Sequence, residues 1–316
     1  MAELFDVIIR HQIYLEGLKR GRNADFPKVL GQLDRALRTG LAHIDYASLG
    51  EVSKRKLNDL LVALRKAMRA VFDPWLKILV EWLERFMQVE VEAFNAYFGG
   101  DVPYEPVLAA SKTEPMSDGL FWLPLLRGSS TYAMMKIERL VVMGYANQQS
   151  PDEIIRGFLG TKGNNYKDGI GRLLDNSTTA AVSTVMQHLS AQASMNVAKR
   201  MFGAGAAGVG GLVATGQYEW YSVLDDVTTK ICRDRDGNRY VYGRGPVPPA
   251  HMRCRSTIGP VFEGVTSPDL PFGMWASRQS SDFINDAFDG KPPKRYEGSA
   301  ALTLDEYKAK RSLILS

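Results

Sequence analysis

Two cysteines, a histidine and an aspartate in the second half of the chain have side chains that could bind a metal ion. His251 and Cys254 form a His-x-x-Cys pair, and Asp225 and Cys232 precede it. Tetrahedral zinc is bound by Cys, His and occasionally Asp side chains, and a two-residue spacing lets one turn supply two ligands. Asp225, Cys232, His251 and Cys254 are therefore a candidate zinc ligand set.

Two other interpretations of these residues stay open. Cys232, His251 and Asp225 have the types of a thiol nucleophile, its base and an orienting acid. Alternatively, the cysteines are reduced and partly buried, and His251 is satisfied by hydrogen bonds. The remaining histidines lie in helical patterns, so we expect helix-surface or core positions for His11, His43 and His188.

The segment that contains these residues has the pattern of a small β-containing module. Residues 218–224 form an aromatic and β-branched run typical of a strand, and residues 239–242 form a second, shorter one. Between them, residues 234–238 carry the Asp, Gly and Asn of a hairpin turn. We therefore predict a small α+β module near residues 218–258, as a domain that spans residues 217–260.

Threonines and prolines are expected to position the candidate ligands. Thr228 and Thr229 should cap or buttress the turn that leads to the first cysteine. Pro248 and Pro249 should set an extended approach that directs the histidine inward. We therefore expect the four candidate ligands to lie within a few ångström of one another.

The rest of the chain is predicted to be mainly α-helical. Apolar residues recur at three- and four-residue steps over residues 4–41, which predicts two helices separated near residues 23–27. Asp25 can cap the second of these helices, and Pro27 suits its first turn. Residues 150–159 begin with Ser-Pro-Asp-Glu, which is typical of a capped helix start. Helical patterns also occur at residues 132–143 and, in a longer Ala-rich form, at about residues 175–202.

Eight apolar residues after residue 50 have the spacing of a coiled-coil seam. Their steps alternate between four and three residues, so they stay on one face of a helix. We expect a helical arm over residues 51–98, within a docking region at residues 1–100, whose seam is free to bind partner proteins. Asp73-Pro74 predicts either the start of a second helix in nearly the same phase or a kink in one helix. The seam residues are Leu57, Leu61, Leu64, Met68, Val71, Trp75, Ile78 and Trp82.

Glycines and prolines indicate the remaining divisions of the chain. Residues 101–129 contain several prolines and are predicted to be a linker. Residues 130–216 are predicted to be a helical region with a Gly-rich hinge, whose Gly-x-Gly-x-x-Gly string lacks the preceding strand that a dinucleotide site needs. Residues 261–316 are predicted to be a loop-rich tail with short helices near residues 281–288 and 305–313.

Composition argues against several classes of protein. The 316-residue chain is 45% hydrophobic and 23% charged, which is typical of a globular protein. Only two cysteines occur, so we expect no disulfide scaffold and a reducing compartment. The net charge of +4 is far below that of a dedicated nucleic-acid packaging protein. A charge-free run at residues 201–218 is rich in Gly and Ala, so no membrane span is predicted.

The order of residues in the module resembles a known family signature. The run Trp-x4-Asp-Asp-x-Thr-Thr-x-Ile-Cys-Arg-x3-Gly is followed by Gly-Pro-x-Pro-Pro-Ala-His-x2-Cys-Arg-Ser-Thr. Together they resemble the signature of the phage head morphogenesis family, the Mu F-like minor head proteins of tailed phages. The specific similarity covers about residues 218–258, and a looser one extends through the helices at residues 130–202. The matching residues include Trp220, Asp225, Thr228, Thr229, Cys232, Gly237, Pro248, Pro249, His251, Cys254 and Arg255.

Two departures from the family pattern bear on the metal site. Many members end the motif in Cys-Arg-Cys, whereas Ser256 stands at the last of these positions in this chain. Many members also have another Cys just after the threonines, where this chain has Lys230 and Ile231. The resemblance therefore leaves zinc as a candidate cofactor and the four residues of the candidate set as its only ligands.

The resemblance implies a minor component of the phage head and implies no reaction, so we expect a protein that is not an enzyme. Such proteins are associated with the portal and the capsid interior and act in head assembly, DNA packaging or DNA delivery. The expected partners are portal, capsid or scaffold proteins, with packaged DNA as a further candidate, and the oligomeric state would follow the portal or head position. The expected location is the virion, after assembly in the host cytoplasm.

Two alternative functions stay open. A thiol hydrolase, or a metal-dependent hydrolase or nuclease, could use the cluster of Asp225, Cys232, His251 and Cys254. The sequence offers no second motif to complete a catalytic pocket. A DNA-binding surface could use the basic residues of the module, but nearby aspartates favour a solvated or internally paired surface. These basic residues are Lys230, Arg233, Arg235, Arg239, Arg244, Arg253 and Arg255.

Overall fold

A computed structural model describes residues 2–42, 51–203, 212–267, 270–288 and 301–312, together with residue 314. These residues are mainly α-helical and include one small antiparallel sheet. The predicted fold class, mainly α with a small α+β module, is confirmed.

The helices and strands follow one another with short connections in most of the described chain. The N-terminal half contains α1 (Ala2–Asn23), α2 (Phe26–Leu41), α3 (Glu51–Phe98), α4 (Tyr104–Thr113), α5 (Trp122–Ala146) and α6 (Pro151–Leu159). The C-terminal half contains α7 (Ile170–Phe202), β1 (Ala214–Tyr221), α8 (Lys230–Arg235), β2 (Arg239–Val241), β3 (Thr257–Phe262), α9 (Phe272–Ala276), α10 (Ser281–Phe288) and α11 (Leu304–Ser312). A short 3-10 helix, Lys162–Asn164, precedes α7.

The chain forms two compact units, each built from segments that are separate in sequence. A helical unit contains the described residues of 24–82 and 123–182, and a sheet unit contains those of 1–23, 83–122 and 183–316. Helices α3 and α7 each contribute residues to both units. For this reason the units do not follow the predicted divisions, which were 1–100, 101–129, 130–216, 217–260 and 261–316.

Helix starts in the helical unit agree with the capping signals of the sequence in one case and differ in another. At α6, Ser150 Oγ accepts a hydrogen bond from the Glu153 backbone at 3.3 Å, and the Glu153 carboxylate accepts one from the Ser150 backbone at 2.7 Å. This reciprocal pair is a capping box and satisfies two backbone donors. At α2, Pro27 occupies the first turn as expected, but the Asp25 side chain makes no capping bond and contacts Lys28 Nζ at 2.9 Å.

The eight-residue seam of α3 belongs largely to the core of the helical unit, so the expectation of a free docking seam is wrong. Leu64 and Met68 are buried, and Ile78 is 56% exposed. The apolar residues of α2 lie in the same core and pack with the seam residues of α3. Seam members that are partly buried against this core are Leu57, Leu61, Val71 and Trp75, and Trp82 is half-buried. The core also contains Val29, Leu33 and Leu37 of α2, Ala133, Ile137 and Val141 of α5, and Ile154, Ile155 and Phe158 of α6.

Helix α3 continues through Pro74 as a single element. Of the two alternatives that Asp73-Pro74 left open, the structure has the one continuous helix. A proline inside a helix removes one backbone hydrogen bond, and this cost is tolerated where packing on both sides holds the helix. Phe72 and Leu79, which flank Pro74, are both buried.

The predicted linker at residues 101–129 is wrong, because two helices occupy much of it. Pro103 is the residue before α4, and Pro106 lies in its first turn. Pro124 likewise lies in the first turn of α5. The first turn of a helix has no intrahelical partner for its N–H groups, so proline is tolerated there. These prolines mark helix starts and not a loop.

The sheet has the strand order β2-β1-β3, and both pairs are antiparallel. The predicted pairing of the first two strands is present, with Tyr218 opposite Tyr240. Their connection is not a simple hairpin, because it contains α8. The third strand, β3, was not predicted, and it places Ile258 opposite Trp220.

The C-terminal tail contains more helix than predicted and joins the core of the sheet unit. Helices α10 and α11 lie where the short helices were expected, and α9 is additional. Tyr307 of α11 is fully buried. Residues 204–211 of the predicted Gly-rich hinge, and residue 313 of the predicted last helix, lie outside the described residues, as does His43.

Membrane insertion was not expected from the sequence. Within the described part of the chain, no helix combines the length and the apolar composition that a bilayer span requires.

Candidate functional site

The side chains of Cys232, His251 and Cys254 meet in the sheet unit. The Cys232 Sγ atom lies 3.1 Å from His251 Nε2 and 3.8 Å from Cys254 Sγ. One ligand atom from each of the three residues lies within 4.8 Å of the other two. Both cysteines are buried and reduced, and His251 is half-buried. This Cys-His-Cys group could hold a metal ion.

Cys232 is positioned by the start of α8. Thr229 precedes α8, and its carbonyl accepts a hydrogen bond from the Cys232 backbone at 3.1 Å. The Thr229 hydroxyl does not cap the helix but lies 2.8 Å from His251 Nε2. The Thr228 hydroxyl accepts a hydrogen bond from the Asp225 backbone at 3.0 Å and contacts the Val223 carbonyl. Thr228 thus buttresses the turn before α8, and Thr229 contacts the site itself.

His251 and Cys254 are held together by a tight turn. The Cys254 backbone donates to the His251 carbonyl at 3.1 Å, and Arg253 has a left-handed φ of 60°. The Arg253 backbone donates to Thr184 Oγ1 of α7 at 2.9 Å, which fixes the turn against that helix. Pro248 and Pro249, which precede the turn, are both buried.

The hydrogen bonds of His251 define which ring nitrogen is free to bind. Nδ1 lies 2.9 Å from the Met252 carbonyl oxygen, which can only accept a hydrogen bond. Nδ1 therefore carries the proton, and the Nε2 lone pair is directed at Cys232 and Thr229. A histidine that ligates a metal usually donates its other ring N–H to a carbonyl or carboxylate in this way.

The two cysteines have opposite pKa shifts. The hydrogen bond from the Cys254 thiol lowers the pKa of Cys232 to about 4, with the hydroxyls of Ser256 and Thr229 acting in the same direction against the effect of burial. Donating that hydrogen bond, together with burial, raises the pKa of Cys254 well above the usual thiol range. Cys232 is therefore the more acidic thiol of the pair.

Asp225 does not join the three-residue group, and its predicted roles as a fourth ligand and as the orienting acid of a triad are wrong. Arg255 donates to Asp225 Oδ2 at 2.7 Å and to Oδ1 at 2.8 Å. Burial raises the pKa of Asp225, but the hydrogen bonds from Arg255 and Thr228 outweigh it and hold the pKa below its usual value. The carboxylate is thus neutralised within the module and is not available to His251.

The other motif residues pack the module around the site. The Trp220 ring is fully buried, and its Nε1 donates to Ser222 Oγ at 3.0 Å. The Arg235 guanidinium lies over that ring at 5.1 Å from its centre, a cation–π contact. Gly237 has a φ of 72° and donates to the Trp220 carbonyl at 2.9 Å, and this left-handed conformation favours glycine.

The space beside the Cys-His-Cys group is small. A pocket of about 40 Å³ is lined by Thr229, Cys232 and His251, among others, and this volume is close to that of a single water molecule. A larger cavity of about 440 Å³ lies elsewhere in the sheet unit, and Phe5 and Tyr221 are among its lining residues. No residue of the Cys-His-Cys group lines that larger cavity.

Several basic residues of the module are engaged in ion pairs. Lys230 pairs with Asp234, and Arg239 pairs with Glu219 at 2.9 Å. Together with the pairing of Arg255, these contacts agree with the internally paired surface that the nearby aspartates favour.

A second cluster of titratable side chains, which sequence reasoning missed, lies in the core of the sheet unit. His11 Nε2 lies 3.0 Å from Glu90 Oε2, and Tyr307 donates to Glu90 Oε1 at 2.5 Å. Burial raises the pKa of Glu90, but the charge of His11 and the hydrogen bonds from His11, Ser190 and Tyr307 outweigh it, so the pKa is lowered. His11 is a core residue, as is His188, whose pKa burial lowers to about 4. No local pattern signals a contact between residues so distant in sequence.

Comparison with known proteins gives no match to this chain among protein-family models, curated proteins or solved structures.

Proposed function

We propose that this chain is a minor head protein of a tailed bacteriophage, associated with the portal or the head interior and acting in head assembly, DNA packaging or DNA delivery. The proposal starts from the resemblance of residues 218–258 to the motif of such proteins. The observation that carries it is the part that the motif residues play in the module. The Gly237 backbone bonds to the Trp220 carbonyl, and Trp220 bonds to Ser222. Arg255 pairs with Asp225, so these residues hold the segments of the module together. A motif with this role fits a structural component of an assembly.

Mass spectrometry of purified phage heads from the phage that encodes the chain tests this proposal. We expect the chain in a few copies per head, in the fraction that contains the portal protein, and little of it free in the lysate. Analysis of the ejected genome distinguishes a component that leaves with DNA from one that stays in the head. A chain that is abundant in infected cells and missing from purified heads would contradict the proposal.

We also propose that Cys232, His251 and Cys254 bind zinc. Two sulfur atoms that each lie about 2.3 Å from a tetrahedral zinc ion are about 3.8 Å apart. The two Sγ atoms of the protein have this separation, 3.8 Å. The Cys232 sulfur and the His251 Nε2 lone pair face each other at 3.1 Å, and two electron-rich atoms at this distance need a proton or a metal ion between them.

Three protein ligands leave one position of a tetrahedral zinc ion for another donor. Asp225 is held by Arg255, so it does not fill this position. The adjoining pocket has room for about one water molecule, which could complete the coordination. A bound ion would stabilise a module with a three-stranded sheet and little core of its own by linking α8 to the turn that precedes β3.

Elemental analysis of the purified chain tests the zinc proposal. We expect about one zinc ion per chain after purification without chelators, and loss of that ion from the Cys232→Ser and Cys254→Ser variants. Asp234→Asn, a change at an exposed residue of the same module that is not a ligand, is the matched control and should keep its zinc. A wild-type chain without zinc, purified from cells supplied with zinc, would contradict the proposal.

The second candidate function is a thiol hydrolase. The observation that favours it is the contact of Cys232 with His251 at 3.1 Å together with the lowered pKa of Cys232. The pocket of about 40 Å³ is too small for most substrates, which supports the structural proposal over this one. Assays of the metal-free chain on ester and peptide substrates, with Cys232→Ser as the control, test the candidate. Turnover by the wild-type chain that the variant lacks would favour the hydrolase.

A further inference from the structure

We propose that Cys232 and Cys254 are an oxidisable dithiol, which peroxide converts to an intramolecular disulfide when no metal ion is bound. The module would then have two alternative closed states, one linked by a metal ion and one by a disulfide. The two states exclude each other because each uses both sulfur atoms. This inference rests on the same Cys-His-Cys group as the proposed zinc site.

The separation of the sulfur atoms permits the bond. The two Sγ atoms lie 3.8 Å apart, and a disulfide bond is about 2.05 Å long, so they must approach by about 1.8 Å. Cys232 lies on α8, and Cys254 ends a turn anchored to α7 through Thr184. Each sulfur atom already lies beside the other, so the pairing is fixed in advance by the fold.

The pocket decides which sulfur reacts first. Cys232 and His251 line the pocket of about 40 Å³, and Cys254 is not among its lining residues. Hydrogen peroxide has two heavy atoms, so it is close in size to the water molecule that such a space admits. Thr229 also lines this pocket, and its hydroxyl oxygen can accept a hydrogen bond from a bound peroxide. Peroxide therefore reaches Cys232, and Cys254 lies behind it as the second thiol.

The chemistry balances with peroxide as the only oxidant. The Cys232 sulfur attacks one peroxide oxygen, the O–O bond breaks, and the products are a sulfenic acid on Cys232 and one water molecule. The Cys254 sulfur then attacks the Cys232 sulfur, the S–O bond breaks, and a second water molecule leaves. His251 Nε2, 3.1 Å from Cys232 Sγ, is placed to take the proton that the first thiol loses. In sum, two thiols and one peroxide give one disulfide and two water molecules.

The proposed function would expose the chain to conditions in which this oxidation can occur. A virion component is assembled in a reducing cytoplasm and is later exposed to an oxidising medium. A metal ion would protect the thiols during assembly, and a module that loses the ion outside the cell would be closed again by the disulfide.

Peroxide treatment of the full-length chain tests the inference directly. The chain contains two cysteines and no others, so thiol counts report on this pair alone. After metal removal with a chelator and addition of one equivalent of peroxide, we expect both thiols to disappear and the mass to fall by two hydrogen atoms. Proteolytic mapping should recover the peptides of Cys232 and Cys254 joined by a disulfide, which separates this product from oxidised methionine.

Two serine variants test the order of the steps. In Cys254→Ser, the sulfenic acid of Cys232 has no second thiol and should be trapped by dimedone. In Cys232→Ser, the remaining thiol of Cys254 should react with peroxide at least about tenfold more slowly than Cys232 does in Cys254→Ser, because Cys254 does not line the pocket. Far-ultraviolet circular dichroism of both variants checks that they remain folded. Zinc-loaded wild-type chain should also be oxidised about tenfold more slowly than the metal-free chain.

The outcomes separate this inference from the proposed function. Two thiols that stay free after peroxide treatment of the folded, metal-free chain would overturn the inference, even if zinc binds as proposed. Disulfide-linked dimers in place of the internal bond, or faster oxidation of Cys254 in its single-cysteine form, would overturn it as well. A chain that contains no zinc but forms the internal disulfide would support the inference and contradict the metal proposal alone.

Discussion

Arg255 donates hydrogen bonds to both carboxylate oxygens of Asp225, with Nη1 at 2.7 Å from Oδ2 and Nη2 at 2.8 Å from Oδ1. The two side chains are 17% and 2% exposed, so water screens the pair weakly. Asp225 lies in the turn before α8, and Arg255 directly follows Cys254. The ion pair therefore ties the segment of Cys232 to the segment of Cys254 and indirectly fixes the distance between the two sulfur atoms.

Asp225→Asn should destabilise the sheet unit without releasing zinc. The variant removes the negative charge that accepts two hydrogen bonds from the largely buried guanidinium of Arg255, and we expect a loss of about 2 to 4 kcal/mol in the free energy of unfolding. Because Asp225 is not a ligand, about one zinc ion per chain should remain. Urea unfolding and elemental analysis measure the two quantities. Asp234→Asn, which removes the same charge from an exposed pair with Lys230, is the control and should change stability little. If Asp225→Asn remains fully folded but loses its zinc, Asp225 is a zinc ligand after all.

The stability that Asp225 contributes should depend on pH in the acid range. Its pKa is lower in the folded chain than in the unfolded chain, where an Asp has a pKa of about 3.9. The contribution is therefore complete above the unfolded value and is lost as the pH falls through the lower folded value. The difference in unfolding free energy between wild type and Asp225→Asn should be constant above about pH 5 and shrink at lower pH. Unfolding curves of both proteins across this range measure it, and a difference that grows on acidification would have the wrong sign.

Truncation of the α3 seam should affect stability at its buried positions and not at its exposed one. Met68 is fully buried in the helical unit, so Met68→Ala should cost about 2 to 5 kcal/mol. Ile78, 56% exposed on the same helix, is the matched control, and Ile78→Ala should change stability by about 0.5 kcal/mol or less. Thermal unfolding of the two variants compares them. Equal and small effects would restore the interpretation of the seam as a free docking surface.

The seam illustrates what the sequence could and could not predict about the fold. Its spacing correctly predicts a long helix, because apolar residues at steps of three and four must share one face. The same spacing does not say whether the partner helix belongs to another protein or to this chain. The partner stripe is on α2, whose Leu33 and Leu37 lie before the seam and whose own pattern is that of any surface helix.

The missed strand β3 has a different cause. All six of its residues are buried, but Gly259 and Pro260 interrupt the run, and both residues are poor strand formers. Pro260 is tolerated because β3 pairs with β1 alone and lies at the edge of the sheet. At Gly259 a Cβ atom would lie 2.3 Å from Ile8 Cδ1 and 2.7 Å from the Tyr221 ring, so close packing requires glycine. Tertiary packing, which a local pattern does not encode, selects both residues.

The candidate site was predictable in its residue types but not in its partners. The His-x-x-Cys spacing and the position of Cys232 beside a short helical turn bring three of the four expected residues together. Asp225 was expected to join them because a carboxylate is a chemically suitable ligand. The sequence contains seven basic residues in this module, and only the folded chain places Arg255 against that carboxylate.

Tyr307→Phe should destabilise the sheet unit through the buried cluster that joins α11 to α1 and α3. The Tyr307 hydroxyl donates to Glu90 Oε1 at 2.5 Å and lies 3.1 Å from His11 Nε2. Phenylalanine keeps the ring in place but leaves the buried Glu90 carboxylate without one of its donors, which should cost about 1 to 3 kcal/mol. Tyr166→Phe is the matched control, because that tyrosine is 54% exposed and loses only a solvated hydroxyl. Urea unfolding followed by circular dichroism measures both variants. Equal midpoints for the two would mean that Glu90 obtains a replacement donor, such as water, and that the hydroxyl of Tyr307 does not hold α11 in place.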